Sequence, residues 1–535
     1  MAHVPEAEVL DPARVENGDP SRVEQLRARL LEPMPPDRLA GWLVPGIIAV
    51  LGGLLRFWQL ARPHVLVFDE TYYVKDGWSL VHHGVELSSA LDAKKADALF
   101  AAGNTDIYTS TGAYVVHPPV GKWLIGLGEL LFGAGSAVGW RFATALLGTA
   151  SILIIGRVGR RLFRSTLLGA IAAFLLAFEG LHLTMSRTGL LDVIVMFFAL
   201  TAFAALLIDR DRSRALLAQR VGALPLGEHP AYGPWLGWRP WRWVAGLSLG
   251  LCLSTKWSGI FFIAVFGLMS VSWDLGARRT VGVRHWARTG LLLDGPYAAV
   301  QIVVLAAVVY PVSWLGWFLS DDGYLRHWAS QNPGAGLQWL PPALRSWVYY
   351  HEQMWTFSTT LHTPHAYQSN PWGWLVQARP TSFFYQGPTQ GQSGCTVTQC
   401  SQAITTIGTV PLWWGGTLAL VVVLYHWVIR RDWRAGAVLS GIAAGYLPWF
   451  NWQARTVFSF YAVAFEPWVV LAVVFCIGLF LAGARDPASR RWRVWSVAAF
   501  LLAQLAVFAW NLPIHTAQVI PYGQWLARMW FPSWI

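Results

Sequence analysis

The stretch GWLVPGIIAVLGGLLRFWQL occupies residues 41–60, and VFDETYY follows at 67–73. The first is a twenty-residue apolar run with Arg56 as its one charge. At about 1.5 Å per residue a helix of that length rises about 30 Å, the thickness of a bilayer core. The second places two adjacent carboxylates, Asp69 and Glu70, in the loop that leaves this span. Such a pair is costly to hold at a membrane exit and is suited to acid/base work. Solvated loop charges would look the same in isolation, so the rest of the chain has to decide.

Apolar runs of the same kind recur to the C-terminus. The chain has 535 residues, of which 55% are hydrophobic and 13% charged, against about 25% charged in a soluble protein. This is the composition of an all-α polytopic membrane protein. Spans are expected at 41–60, 139–156, 167–183, 190–208, 242–255, 257–274, 295–317, 409–428, 435–450, 457–482 and 494–511, eleven transmembrane helices in all. The run Val120–Gly133 is too short for a confident span and is expected to lie along the outer interface. With a cytoplasmic N-terminus, the short loops carrying Arg157, Arg160, Arg161 and Arg164 and most other loop arginines then face inward, as the positive-inside rule asks. The two long loops, 61–138 and 318–408, face outward, and so does the C-terminus. Residues 1–40 read as a cytoplasmic tail with no cleavable signal peptide and a short surface helix over Arg22–Leu31. Residues 41–535 form the membrane domain.

The net charge of +11 is accounted for by topology, and no nucleic-acid partner is expected. No internal repeat is evident, so the inverted-repeat pattern of many transporters lacks support. Cys252 and Cys476 sit in apolar runs as packing residues. Cys395 and Cys400 lie in a polar outward loop and are a disulfide candidate.

The polar residues collect at the outer ends of the spans. The first loop supplies Asp69 and Glu70 and ends in His117-Pro118-Pro119-Val120-Gly121-Lys122. Arg141 opens the second span. Arg187 and Asp192 fall in the break between the third and fourth, and Lys256 in the tight turn between the fifth and sixth. The second long loop supplies His362, His365 and Arg379. Taken singly, Arg141 and Lys122 are equally consistent with snorkelling to the interface, and Arg187 with Asp192 could form a structural pair. Pro364 between His362 and His365 argues against a helical metal site, and no metal or other cofactor is expected. Lys256 has no acidic neighbour in sequence, and a phosphate at headgroup depth would give it a partner. One acidic pair facing several cations at one membrane face suits a reaction on a lipid-linked phosphate: cations stabilise the leaving group and a carboxylate takes a proton from an incoming hydroxyl. With an ordinary pKa of about 3.9, Asp69 would be ionised at neutral pH.

At this point the chain resembles the protein O-mannosyltransferases of the actinobacterial type, glycosyltransferase family 39 of the GT-C superfamily. The resemblance rests on Phe68-Asp69-Glu70, on the His117–Lys122 segment, on Trp140-Arg141-Phe142, on Ser186-Arg187 with Leu190-Leu191-Asp192, on Ser254-Thr255-Lys256-Trp257, and on His365, Tyr367, Ser369 and Trp374. It covers about Gly41 to the C-terminus. It implies a multi-pass enzyme of the cell membrane that moves mannose from polyprenyl-phosphate-mannose to Ser/Thr hydroxyls of secreted polypeptides, with inversion and at the outer face; the secretion translocon would be a sensible partner. It also implies Asp69 as the base, Glu70 as a neighbouring catalytic residue that positions the acceptor, and Lys256, Arg141 and Arg187 as the donor-phosphate cations. His117, Lys122, Asp192, His365 and Arg379 are supporting. The alternatives are another GT-C lipid-linked sugar transferase, such as one moving aminoarabinose, and a transporter or flippase.

Overall fold

In hydrocarbon a backbone must satisfy its own N–H and C=O groups, so apolar runs become helices. The computed structural model describes residues 20–225, 228 and 230–535. Among these residues, seven helices are long and apolar enough to cross a membrane: Ala40–Phe57, Ala137–Phe163, Asp192–Gly222, Gly259–Thr280, Trp286–Ser313, Val410–Val428 and Pro487–His515. Four others stand where spans were expected but are short: Thr166–Ala177, Pro240–Leu253, Trp433–Gly445 and Glu466–Ala482. They rise only about 18–26 Å. Among the described residues the structure thus places seven full-length helices and four short ones at the eleven expected positions. The shortfall is filled by turns, such as the 3-10 segments Leu447–Trp452 and Ser459–Ala464, and these turns gather at the end of the bundle that carries the two long loops.

Val120–Phe132 is a separate thirteen-residue helix. It lies against Glu70–His83 in the first loop and Ala137–Phe163 in the bundle. The first of these crossings is backbone to backbone. A Cβ on Gly126 would come within 2.4 Å of the Gly77 carbonyl oxygen, and one on Gly77 within 2.9 Å of that of Lys122. Those two glycines let the helix that begins just after Asp69 sit directly on the helix that begins just after His117. Two prolines, Pro118 and Pro119, set the entry of the latter, and the Val120 N–H donates to Ser254 O at 3.0 Å. The first loop is thereby tied to the turn that carries Lys256.

The β-structure is confined to the same end. A hairpin pairs Leu87–Ser89 with Tyr108–Gly112. A three-stranded antiparallel sheet orders Ser382–Gln386, Cys400–Thr405 and Val519–Pro521. Cys395 and Cys400 are joined by a disulfide with Cα atoms 5.9 Å apart, which closes the connection between the first two strands. At the opposite end the arginines are largely paired: Arg239 and Arg242 with Asp209 and Asp274, Arg278 with Asp294, and Arg161 and Arg164 with Asp211. The tail helix is Pro20–Leu30 and is docked, Arg22 donating to Leu224 O at 2.6 Å and Pro225 O at 2.7 Å. Residues 1–19 of the expected tail lie outside the described residues.

Candidate active site

Asp69 stands at the N-terminus of the helix Glu70–His83, and the chain reaches it through an unusual turn. Phe68 adopts φ +48°, a left-handed conformation that costs a bulky residue about 1–2 kcal/mol. Its ring is held by an aromatic cage: stacked on Phe383 at 4.7 Å, edge-on to Phe458 and Phe460 at 5.6 Å each, and to His365 at 6.1 Å. The cage fixes the turn, and the turn aims the next residue. His365 therefore serves the cage, and Arg379 lies further out, donating to Ala366 O and Ser533 O.

Glu70 points the other way. Its carboxylate is fully buried and accepts from Arg141 Nε at 2.7 Å and Nη2 at 2.8 Å, from Val67 N at 2.9 Å and from Gly189 N at 2.8 Å. Arg141 spends its remaining N–H groups on Leu60 O, Pro63 O and Val65 O at 3.0–3.1 Å. This corrects two sequence expectations: Glu70 and Arg141 form a clamp on the strap that precedes Asp69, and the Arg141 guanidinium has no N–H left for a phosphate. Arg187 is also turned toward the main chain. It donates to the carbonyls of Leu55, Arg56, Trp58 and Gln59 at 2.7–3.1 Å, capping the orphan C-terminal carbonyls of Ala40–Phe57. Lys122 does not snorkel; it is buried against Glu86 and Asp76.

What remains converges on a cavity of about 430 Å³. Its polar end is formed by His117, Asp192, Lys256, Arg455 and Tyr461, and its other walls by Trp257, Ile260, Phe261, Trp355 and Trp452 among others. Lys256 is not the partnerless cation that its sequence surroundings suggest. Its Nζ donates to both Asp192 oxygens, at 2.8 and 2.9 Å, and lies 5.0 Å from the Tyr461 ring centroid. Arg455 was not singled out from the sequence. It lines the cavity, and its guanidinium has no hydrogen-bond or ion-pair partner among the described residues. The one signal for it was a lone cation in the short break between two apolar runs at the loop-bearing end.

Asp69 is not itself a wall of the cavity, but Lys256 and Asp192 both act on its carboxyl. Burial pushes the Asp69 pKa up to about 6, against the pull of Lys256. The ordinary value assumed from sequence is thus replaced by that of a stronger base, still about nine-tenths ionised at pH 7. Tyr73, one helical turn on, donates to Asp69 Oδ2 at 3.4 Å and is buried, whereas Tyr72 is 62% exposed. Of the two adjacent tyrosines only Tyr72 reaches the surface. His117 lies 6.0 Å from the Tyr73 ring; burial, with Lys256, Lys122 and Arg455, holds its pKa well below the usual range, so it is neutral. Among the described residues no group of three or more His, Cys, Asp or Glu could hold a metal ion, and His362 instead bonds Ala454 O.

A basic carboxylate beside a cation-tipped apolar cavity invites comparison with known proteins. Residues 46–315 match the family model described as dolichyl-phosphate-mannose-protein mannosyltransferase, and 343–534 that described as the C-terminal four TMM region of protein-O-mannosyltransferase. The chain belongs to this mannosyltransferase family. The polyprenol-phosphate-mannose–protein mannosyltransferase of Mycolicibacterium smegmatis (strain MKD8) is 35% identical over 515 residues, covering 94% of each chain. That of Corynebacterium glutamicum is 32% identical over 535 residues, covering 96% of this chain and 98% of its own. The family's fold is also seen in the Saccharomyces cerevisiae Pmt1–Pmt2 complex bound to the sugar donor. That structure aligns with a TM-score of 0.68 at 15% identity, over 97% of this chain and 95% of its own.

Proposed function

We propose that this enzyme transfers mannose from a polyprenyl-phosphate-mannose lipid to Ser/Thr hydroxyls of secreted polypeptides, at the outer face of the cell membrane and with inversion. The observation that carries the reading is the placement of Asp69, with its raised basicity, beside a cavity whose polar end presents Lys256 and the unpaired Arg455 and whose walls are apolar. The polyprenyl chain lies along Trp257, Ile260, Phe261 and Trp452, with the phosphate against Lys256 and Arg455. Asp69 takes the hydroxyl proton as the acceptor oxygen forms its bond to the anomeric carbon. The bond from that carbon to the phosphate oxygen breaks, and polyprenyl phosphate leaves into the two cations, a use of positive charge where negative charge develops. Lys256 turns part of its hydrogen bonding from Asp192 to the phosphate. Neutral His117 is left to bond sugar hydroxyls.

On this reading the loop-bearing end is extracytoplasmic, the N-terminus is cytoplasmic, and the acceptor arrives as a translocating chain from the secretion translocon. The test is purified protein with radiolabelled polyprenyl-phosphate-mannose and a Ser/Thr peptide. The expected product is mannosylated peptide with the anomeric configuration opposite to the donor's. Retention, or transfer to a lipid acceptor and not to peptide, would overturn the reading.

A further inference from the structure

We infer that the acceptor polypeptide lies extended in a second concavity, the groove between the strap at 59–65 and the disulfide-closed hairpin at 382–402. This placement rests on the transfer reading above and adds where the acceptor chain is held. The groove has a volume of about 550 Å³ and is lined by Arg62, His64, Val65, Phe384, Gln386 and Gln402 among others. None of its residues lines the donor cavity. The aromatic cage stands between the two. On the groove side it is Phe383, next in sequence to groove-lining Phe384; on the cavity side it is Phe458 and Phe460, between cavity-lining Arg455 and Tyr461. Phe68 is the hub of the cage, and Asp69 follows it. A displacement with inversion requires the nucleophile to approach opposite the leaving group. The phosphate occupies the cavity side, so the hydroxyl comes from the groove side.

The strap itself measures the distance. Val65 at the end of the groove is four residues from Asp69, at most about 14 Å of extended chain. An acceptor whose flank fills the groove therefore reaches the base with a Ser or Thr about four residues further on. The strap does not yield to the bound chain, because Arg141 holds the carbonyls of Leu60, Pro63 and Val65, and His64 is stacked on Trp140 at 5.6 Å with its Nε2 on Gly135 O. The opposite wall is held by the Cys395–Cys400 disulfide. Between these fixed walls, the Arg62 guanidinium and the Gln386 amide have no hydrogen-bond or ion-pair partner among the described residues. A neutral amide and a guanidinium suit the peptide groups of an extended chain, with preference for an acidic or neutral flank over a basic one.

The test uses the full-length enzyme in detergent with its lipid donor and a series of Thr peptides whose flanks run from one to eight residues. Wild-type KM for the peptide should fall once the flank exceeds about four residues. Gln386→Trp, which fills the groove from an exposed strand position, should raise KM for the long peptide at least tenfold and leave the donor KM within twofold. The variant-to-wild-type ratio should approach one as the flank is trimmed. Arg62→Glu should raise KM more for an acidic flank than for a neutral one. A ratio within twofold of one at every length would overturn the placement. A photo-crosslinking residue in the flank should label the strap or the hairpin. That readout needs no transfer, so it separates a wrong groove from a wrong reaction: labelling elsewhere sinks the groove, while labelling here without mannosylation sinks the transfer reading and leaves the peptide site.

Discussion

Replacing Glu70 with Ala should unfold the first loop from the bundle before it does anything to chemistry. Glu70 and Arg141 are each 0% exposed, and the carboxylate accepts four hydrogen bonds, two from the guanidinium and two from the main-chain N–H groups of Val67 and Gly189. Removing one partner of a buried pair costs about 3–5 kcal/mol, because the other charge is stranded. Each orphaned N–H adds about 1 kcal/mol or more. Arg141→Met strands the carboxylate instead and frees three strap carbonyls, at a similar cost. The Glu70→Ala/Arg141→Met double variant removes both charges, so the singles should overestimate its loss by about 2–3 kcal/mol. Equilibrium unfolding in mixed detergent micelles gives the cycle, and donor turnover on the folded fraction gives the catalytic effect. A strap displaced by about 1 Å should cost on the order of 100-fold in kcat through misplacement of Asp69. A Glu70→Ala protein that unfolds at the wild-type midpoint, yet transfers no mannose, would show that Glu70 meets the substrate and that the clamp is wrongly assigned. So would strict additivity in the cycle.

Other consequences follow from the same geometry. Because burial raises the Asp69 pKa to about 6 and the base works ionised, kcat/KM should be flat near pH 8 and fall tenfold per unit below about pH 6; a limb near pH 4 would contradict the burial. Tyr73→Phe removes a hydrogen bond to the charged form, so the acid limb should move to higher pH while donor KM stays put; an unmoved limb would make Tyr73 a packing residue only. Arg455→Ala should raise the donor KM and lower kcat by about 10- to 100-fold, more than Arg187→Lys, whose partners are carbonyls; the reverse order, read from initial rates at varied donor, would return the phosphate to Arg187.

Much of the fold is legible in the sequence. Apolar length located the helices, and the two long polar loops lie at one end of the bundle. Pairing was not legible. Asp192 lies 64 residues from Lys256, so Lys256 looks partnerless until helices 192–222 and 240–253 are brought side by side. Glu70 and Arg141 are 71 apart, and a buried arginine at the start of a span reads the same whether it will hold a phosphate or a loop. Helix shortening was hidden too, since hydropathy does not distinguish a twelve-residue helix with an apolar turn from a continuous span. Tyr73 could have been found: it is four residues after Asp69 on a helix, the spacing that brings two side chains to one face.

The most direct test of the central claim is single-turnover transfer from labelled polyprenyl-phosphate-mannose to a Thr peptide by Asp69→Asn, with unfolding measured alongside. Asn cannot accept the proton, so the rate should fall by about 10²–10⁴-fold. The half-buried carboxylate costs on the order of 3 kcal/mol of stability while ionised, so the variant should be more stable than wild type above pH 6, with the gain vanishing as pH falls toward 4. A folded Asp69→Asn enzyme that mannosylates the peptide at near wild-type rate would contradict the account.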